Sequence, residues 1–200
     1  VIRADGGGGA PARIVVIGTS LGGLHALEVL LGGFAIDFPL PIAVVQHRGV
    51  DAEARSLLTS LLQLGCVLPV VEADDKQPLQ GGRVYFGPPD YHLLVERGQL
   101  ALSTDARVCH ARPSIDVLFE SAADAYGDGV IAVVLTGASA DGAAGATRVR
   151  ERGGTVVAQD PRGAEAPAMP AAAIATGAVH HVLPLDEIAP FLHVATAPVG

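Results

Sequence analysis

The sequence predicts an α/β domain with a doubly wound, mostly parallel sheet flanked by helices and an antiparallel hairpin extension. Three observations predict it. Short β-branched runs such as residues 13–17 (RIVVI) and 130–135 (VIAVVL) lack polar alternation, as strands buried on both faces do. Segments with apolar residues at helical spacing separate these runs. The 25 Gly and 14 Pro show no period and fall between the apolar runs, where they act as punctuation. With 200 residues, 50% of them hydrophobic and 17% charged, the chain is long enough for one well-buried core and is not a disordered polymer.

The elements come in this order. Residues 13–17 are a strand ended by Gly18. Leu24, Leu27, Leu30 and Leu31 put a helical stripe on residues 21–31, which Gly32 and Gly33 stop. Residues 41–46 (PIAVVQ) read as a second strand, 51–64 as a helix with Asp51 as N-cap, and 67–71 as a third strand. Then the rhythm changes. Residues 83–86, 91–95 and 100–103 are short runs separated by Gly87-Pro88-Pro89-Asp90 and Arg97-Gly98, at hairpin spacing. Residues 113–126 return to helix, with Ile115, Leu118, Phe119 and Ala122 on one face. A strand at 130–135, a helix at 142–152, a strand at 155–158, a short helix at 170–175, a strand-like run at 178–183 and a last helix at 185–194 complete the chain. There is no internal repeat. The expected organisation is a Gly-rich linker or disordered N-terminus at residues 1–12, a single domain at 13–194, and a tail at 195–200. Val1 in place of Met, and the glycine run at 6–9, point to chain upstream.

Composition excludes several classes. Thirteen Lys+Arg against 21 Asp+Glu give a net charge of −8, opposite to the basic footprint of a nucleic-acid binder. Cys66 and Cys109 make neither a disulfide framework nor a zinc spacing, and read as reduced thiols. His180 and His181 are adjacent in a strand-like run and point to opposite faces, so no metal site is expected. No run reaches the roughly 18–20 apolar residues of a membrane span, and no signal peptide is visible, so a cytoplasmic setting is expected.

In an open α/β sheet, ligands bind beyond the carboxyl ends of the strands. The first strand runs into Gly18-Thr19-Ser20-Leu21-Gly22-Gly23, the second into His47, and the most apolar strand into Thr136-Gly137-Ala138-Ser139-Ala140-Asp141-Gly142. A Ser, a His and an Asp thus fall at one edge of one sheet. Gly18-x-Ser20-x-Gly22 has the form of a nucleophile elbow and stands between a strand and a helix, where free N–H groups await an oxyanion. Taken singly, Ser20 or Asp141 could cap a helix and His47 could merely end a strand. Taken together, they make a nucleophile, a general base and an orienting carboxylate. No G-x-G-x-x-G or G-K-[ST] supports a phosphate cradle at Ser20. Asp116 and Glu120, at i,i+4, read as a solvated helix face. Arg48 and Arg112 are cations that could meet an acidic substrate.

The residues also resemble a known family, the catalytic domain of the chemotaxis protein-glutamate methylesterases (CheB-type). The matching stretches are VIGTSLGG at 16–23, VVQH at 44–47, VYFGPPDYH at 84–92, RPSIDVLF at 112–119, LTGASADGAAG at 135–145, VAQD at 157–160, and Met169-Pro170. They run in the family's order and cover about residues 13–192. The resemblance implies a serine esterase without cofactor or metal, which hydrolyses glutamate γ-methyl esters, and deamidates glutamine, on the cytoplasmic helices of chemoreceptors. It puts the nucleophile on Ser20, the histidine on His47 and the aspartate on Asp141. It puts an oxyanion N–H at Ala138 and a site-lining role on Met169. The turn after Ser20 offers the Leu21 N–H as a second oxyanion donor, Thr19 and Gly22 are expected to line the substrate, and in a −8 chain Arg48 is expected to meet its acidic charge. No nucleic acid or membrane insertion is implied, and members of such a family carry a regulatory domain upstream or work with a separate one. Two departures bear on the substrate rim: Leu21 replaces a common Thr, and His47-Arg48-Gly49 replaces a common His-Met-Pro. The rival readings are a serine hydrolase for another ester and a non-catalytic binding module with the same fold.

Overall fold

The computed structural model of the protein describes residues 13–47 and 54–197. The chain opens with β1 (Ile14–Thr19), α1 (Gly23–Gly32), β2 (Ile42–Gln46), α2 (Ala54–Gly65), β3 (Val70–Glu72) and β4 (Val84–Phe86). The hairpin β5 (His92–Glu96) and β6 (Gln99–Ser103) comes next, and then α3 (Ile115–Tyr126). The last part holds β7 (Val130–Val134), α4 (Ala143–Glu151), β8 (Thr155–Gln159), α5 (Ala168–Ala175), β9 (His181–Leu183) and α6 (Leu185–Thr196). Asp51, the expected cap of α2, lies outside the described residues.

Seven strands form one sheet in the order β3-β4-β2-β1-β7-β8-β9, every neighbouring pair parallel. β5 and β6 pair antiparallel as a sheet of their own. The predicted fold class stands, with one correction: the run at residues 83–86 is not part of the hairpin. As β4 it sits in the main sheet between β2 and β3. Its pairing is long-range, and the short Gly-Pro connection to the next run concealed it.

β1 and β7 are buried throughout, which is why they carry no polar alternation. Their side chains instead divide by period two between two cores. Val15 and Ile17 face the layer that holds Leu27, Leu30, Leu31 and Leu192. Ile14 and Val16 face the layer that holds Leu118, Phe119, Ala146 and Leu93 of the hairpin. The chain leaves β1 toward β2 on one side, whereas β7 lies on the other. β1 is therefore the topological switch point, the place where an open sheet forms a crevice at its carboxyl edge.

Candidate active site

Ser20 stands one residue beyond β1 and His47 one residue beyond β2. Thr19 pairs with Gln46 across these strands, so Ser20 and His47 are next to each other across one strand spacing of about 4.8 Å. Backbone bonds continue past the strand ends: His47 N–H donates to Thr19 O at 3.0 Å and Ser20 N–H to Thr136 O at 3.0 Å. Gly18 is required because a Cβ there would overlap Ile115 Cγ2. The same side chain closes on the site from α3, so the elbow and the start of α3 are in contact.

Ser20 and His47 line one cavity of about 580 Å³, together with His25, Glu28, Gln46 and Glu165. No hydrogen bond joins Ser20 to His47. Buried Oε1 of Gln46 has no hydrogen-bond partner among the described residues. Leu21 and Gly22 also line this cavity. Among the described residues, the N–H groups of Leu21 and Ala138 have no acceptor.

Asp141 lies in the turn between β7 and α4 and is fully buried. Its Oδ2 accepts His47 Nε2–H at 2.6 Å and the Ile115 N–H at 2.7 Å. Its Oδ1 accepts the Ser114 hydroxyl and the Asp116 N–H, both at 2.9 Å. Two of these donors are the first N–H groups of α3, so the helix N-terminus receives the carboxylate as an anion. Burial alone would raise the pKa of Asp141, but the hydrogen bonds from His47, Asp116, Ile115 and Ser114 outweigh it and hold the carboxyl below its usual range. An ionised carboxylate only accepts, so the His47 proton sits on Nε2 and Nδ1 is left as the free acceptor of the ring.

Asp116, expected on a solvated face, is instead buried, and this corrects the sequence reading. Its Oδ1 accepts the N–H groups of Gly142 at 2.8 Å and Gly145 at 2.7 Å, the N-terminus of α4, and its Oδ2 accepts the Cys109 thiol at 3.7 Å. Burial, partly countered by the Gly145 N–H and reinforced by the nearby Asp141 charge, pushes it up to about 6. Only Glu120, one turn on, reaches solvent. The helix spacing was right, but it could not reveal that the first turn of α3 is inserted against the Asp141 turn. Gly142, at φ 97, gives that turn its left-handed step into α4.

The remaining expected residues divide. Thr19 is fully buried and donates to Thr136 O at 2.9 Å. Met169 is buried too, with its thioether packed against Gly137. Both are buried, and neither is among the described residues that line the Ser20 cavity. Arg48 lies outside the described residues. Arg112 donates to Asp90 and to the carbonyls of Thr104 and Asp105, so it is held within its own loop. Thr136 was not singled out, yet it is a hub. Its carbonyl receives Ser20 N–H, its hydroxyl donates to Leu21 O at 2.9 Å, and the same hydroxyl accepts Ala166 N–H at 2.9 Å. Its side chain ties the turn after Ser20 to the loop before α5.

The CheB methylesterase family matches residues 15–192. A Rhodospirillum rubrum protein-glutamate methylesterase/protein-glutamine glutaminase is 41% identical over 90% of this chain, which spans 47% of that protein. A Leptospira interrogans protein with a provisional name of the same kind is 42% identical over 88% of this chain and 90% of its own length. The crystal structure of the Thermotoga maritima CheB methylesterase catalytic domain superposes with a TM-score of 0.85 at 35% identity, covering 92% of this chain and 98% of that one. The buried His–Asp pair, the serine turn at the switch point and the match across both cores therefore have one account: the chain belongs to the CheB methylesterase family.

Proposed function

We propose that the protein is a serine esterase that hydrolyses glutamate γ-methyl esters of chemoreceptor proteins, and deamidates glutamine at the same positions, in the cytoplasm. The observation that carries this reading is the 2.6 Å bond between His47 Nε2 and buried Asp141, beside Ser20 on one cavity. It leaves His47 Nδ1 as the base toward Ser20. The contact between the two is one that tightens when substrate fills the cavity.

In the proposed reaction, Ser20 Oγ attacks the ester carbonyl while its proton passes to His47 Nδ1. The Leu21 and Ala138 N–H groups receive the oxyanion; both lack acceptors among the described residues. Asp141 holds the tautomer and stabilises the imidazolium. The proton passes from His47 to the departing methoxide, giving methanol. Water, deprotonated by His47, then cleaves the glutamyl ester of Ser20 and releases the glutamate side chain. No described helix is long and apolar enough to cross a membrane, consistent with action on the soluble part of a receptor. Methylated receptor fragment incubated with wild-type protein is expected to release methanol. Ser20→Ala should lower the rate by about 1,000-fold or more. Equal rates would remove Ser20 from the mechanism, and release by neither protein would point to a different ester or to a binding role.

A further inference from the structure

The Ser20 cavity has a neighbour. A recess of about 360 Å³ opens on the other side of His47, which belongs to the walls of both. The two differ in charge. Glu28 and Glu165 stand on the Ser20 side, with Glu165 packed against the Gly22 backbone. The recess is lined by Arg107, Cys109, His110 and Arg112, and among the described residues none of its walls is acidic. The charges behind the recess are acidic, however: burial together with Asp141, Asp116 and Glu120 raises the pKa of the Cys109 thiol.

The loop that forms it is tightly built. Arg112 uses its whole guanidinium: Nε and Nη2 donate to Asp90 Oδ1 at 3.2 and 2.8 Å, and Nη1 to the carbonyls of Thr104 and Asp105 at 2.7 and 3.0 Å. The segment folds back in a two-residue turn closed by Val108 and Ala111, whose N–H groups donate to each other's carbonyls at 3.1 and 2.9 Å. Cys109 and His110 occupy the turn with φ of 49° and 64°. Such turns ordinarily take Asn-Gly, because side chains resist the left-handed region. The Cys109 thiol donates to Asp116 at 3.7 Å, which pins the turn to the carboxylates behind His47. Among the described residues, Arg107 makes a single half-exposed contact to Asp90, at 3.2 Å. Two arginines share that one carboxylate oxygen, and Arg107 has no further acceptor among the described residues.

We propose that this recess receives a carboxylate of the substrate protein, on a side chain flanking the one that carries the ester, with Arg107 as its main contact and His110 beside it. This rests on the reading of Ser20 as nucleophile toward a glutamyl ester. The charge pattern then orients the bound segment. Its acidic neighbour goes to the arginine side, and the uncharged ester goes to the side where Glu28 and Glu165 oppose a free carboxylate. The same opposition favours departure of the product, which is a carboxylate in that position.

Two helical peptides test this, each with one glutamyl γ-methyl ester, flanked by Glu in one and by Gln in the other. Wild-type protein at low salt is expected to show a kcat/KM about three- to tenfold higher for the Glu-flanked peptide, carried by KM and shrinking as salt rises. Arg107→Glu should reverse that preference. Equal kcat/KM for the two peptides in the wild type, or a preference that Arg107→Glu leaves unchanged, overturns the proposal. Fluorescence anisotropy of the same peptides on Ser20→Ala protein, with and without Arg107→Glu, decides the recess independently of turnover. An absence of hydrolysis by the wild type would then count against the esterase reading alone.

Discussion

Asp116→Asn replaces a buried carboxyl with an amide of the same shape. The amide oxygen can still accept the Gly142 and Gly145 N–H groups, so the cap on α4 survives while the charge is removed. In the folded protein Asp116 has its pKa raised from 3.8 to about 6. A rise of that size corresponds to about 3 kcal/mol, at about 1.4 kcal/mol per pH unit. Proton binding sets the sign. Folded Asp116 holds its proton more tightly than unfolded Asp116, so its contribution to stability is fully present below about pH 4 and is lost as pH rises through about 6. Asparagine titrates in neither state. The stability of Asp116→Asn relative to wild type should therefore be flat below pH 4 and climb between pH 4 and 6. By pH 8 the variant should have gained up to about 3 kcal/mol on its own acid baseline. Urea denaturation at four or five pH values measures this, with the neighbouring Asp141 and Cys109 common to both proteins. In melting temperature the swing is up to roughly 6–12 °C for a domain of this size. Curves that stay parallel from pH 4 to 8 would refute the reasoning. So would a wild type that gains on the variant as pH rises, because that would make the Asp116 charge a net benefit to α4.

Ser114→Ala removes one of the four donors to Asp141. It should cost about 1.5–3 kcal/mol at pH 7. The loss should fade as pH falls through the lowered folded pKa of the carboxyl, because a depressed pKa contributes stability that is lost there. A denaturant midpoint lowered by the same amount at every pH down to acid unfolding would contradict the assignment. Gly18→Ala should destabilise by about 1–3 kcal/mol through overlap with Ile115. Ile115→Ala, which removes both γ carbons, should recover part of that loss in a double-mutant cycle, and strictly additive effects would show that the two residues do not meet. Gln46→Met removes a buried oxygen that has no partner among the described residues. It should leave the urea midpoint unchanged or raise stability by about 1 kcal/mol, and a clear loss would reveal a bond that Gln46 makes in solution.

Much of this architecture was legible because parallel strands announce themselves twice, by unbroken apolar runs and by the small residues at their carboxyl ends. Ser20 and His47 directly follow two strands and Asp141 lies in the loop after a third, so their joint placement raises a triad that none of them suggests singly. The features that escaped detection depend on contacts between elements distant in sequence. Asp116 and Glu120 share a helical face in the pattern, but the start of α3 abuts the Asp141 turn and the next turn clears it. One acid is therefore buried and the other exposed. Thr19 precedes Ser20 in an extended segment, so the pleat turns it the opposite way, into Thr136, when Ser20 faces the cavity. Residues 83–86 could not show that their partners are β2 and β3, since pairing register across a sheet is a tertiary property.

The two carboxylates also explain how charge can be kept at the centre of a buried site. α3 and α4 cap each other: Asp141, just before α4, takes the first N–H groups of α3, and Asp116, in the first turn of α3, takes those of α4. Burying either carboxylate as an ion costs several kcal/mol, and two neighbouring ions repel as well. The distribution of donors decides between them. Asp141 has four, one of them a histidine that becomes a cation when it accepts a proton. Asp116 has two N–H groups and a thiol, the weakest donor of the set. The proton therefore settles on Asp116 first, and the negative charge stays on Asp141, which touches His47. A change that strips donors from Asp141, such as Ser114→Ala, shifts that balance toward Asp116. It should weaken the His47–Asp141 pair before it disturbs the packing of either helix.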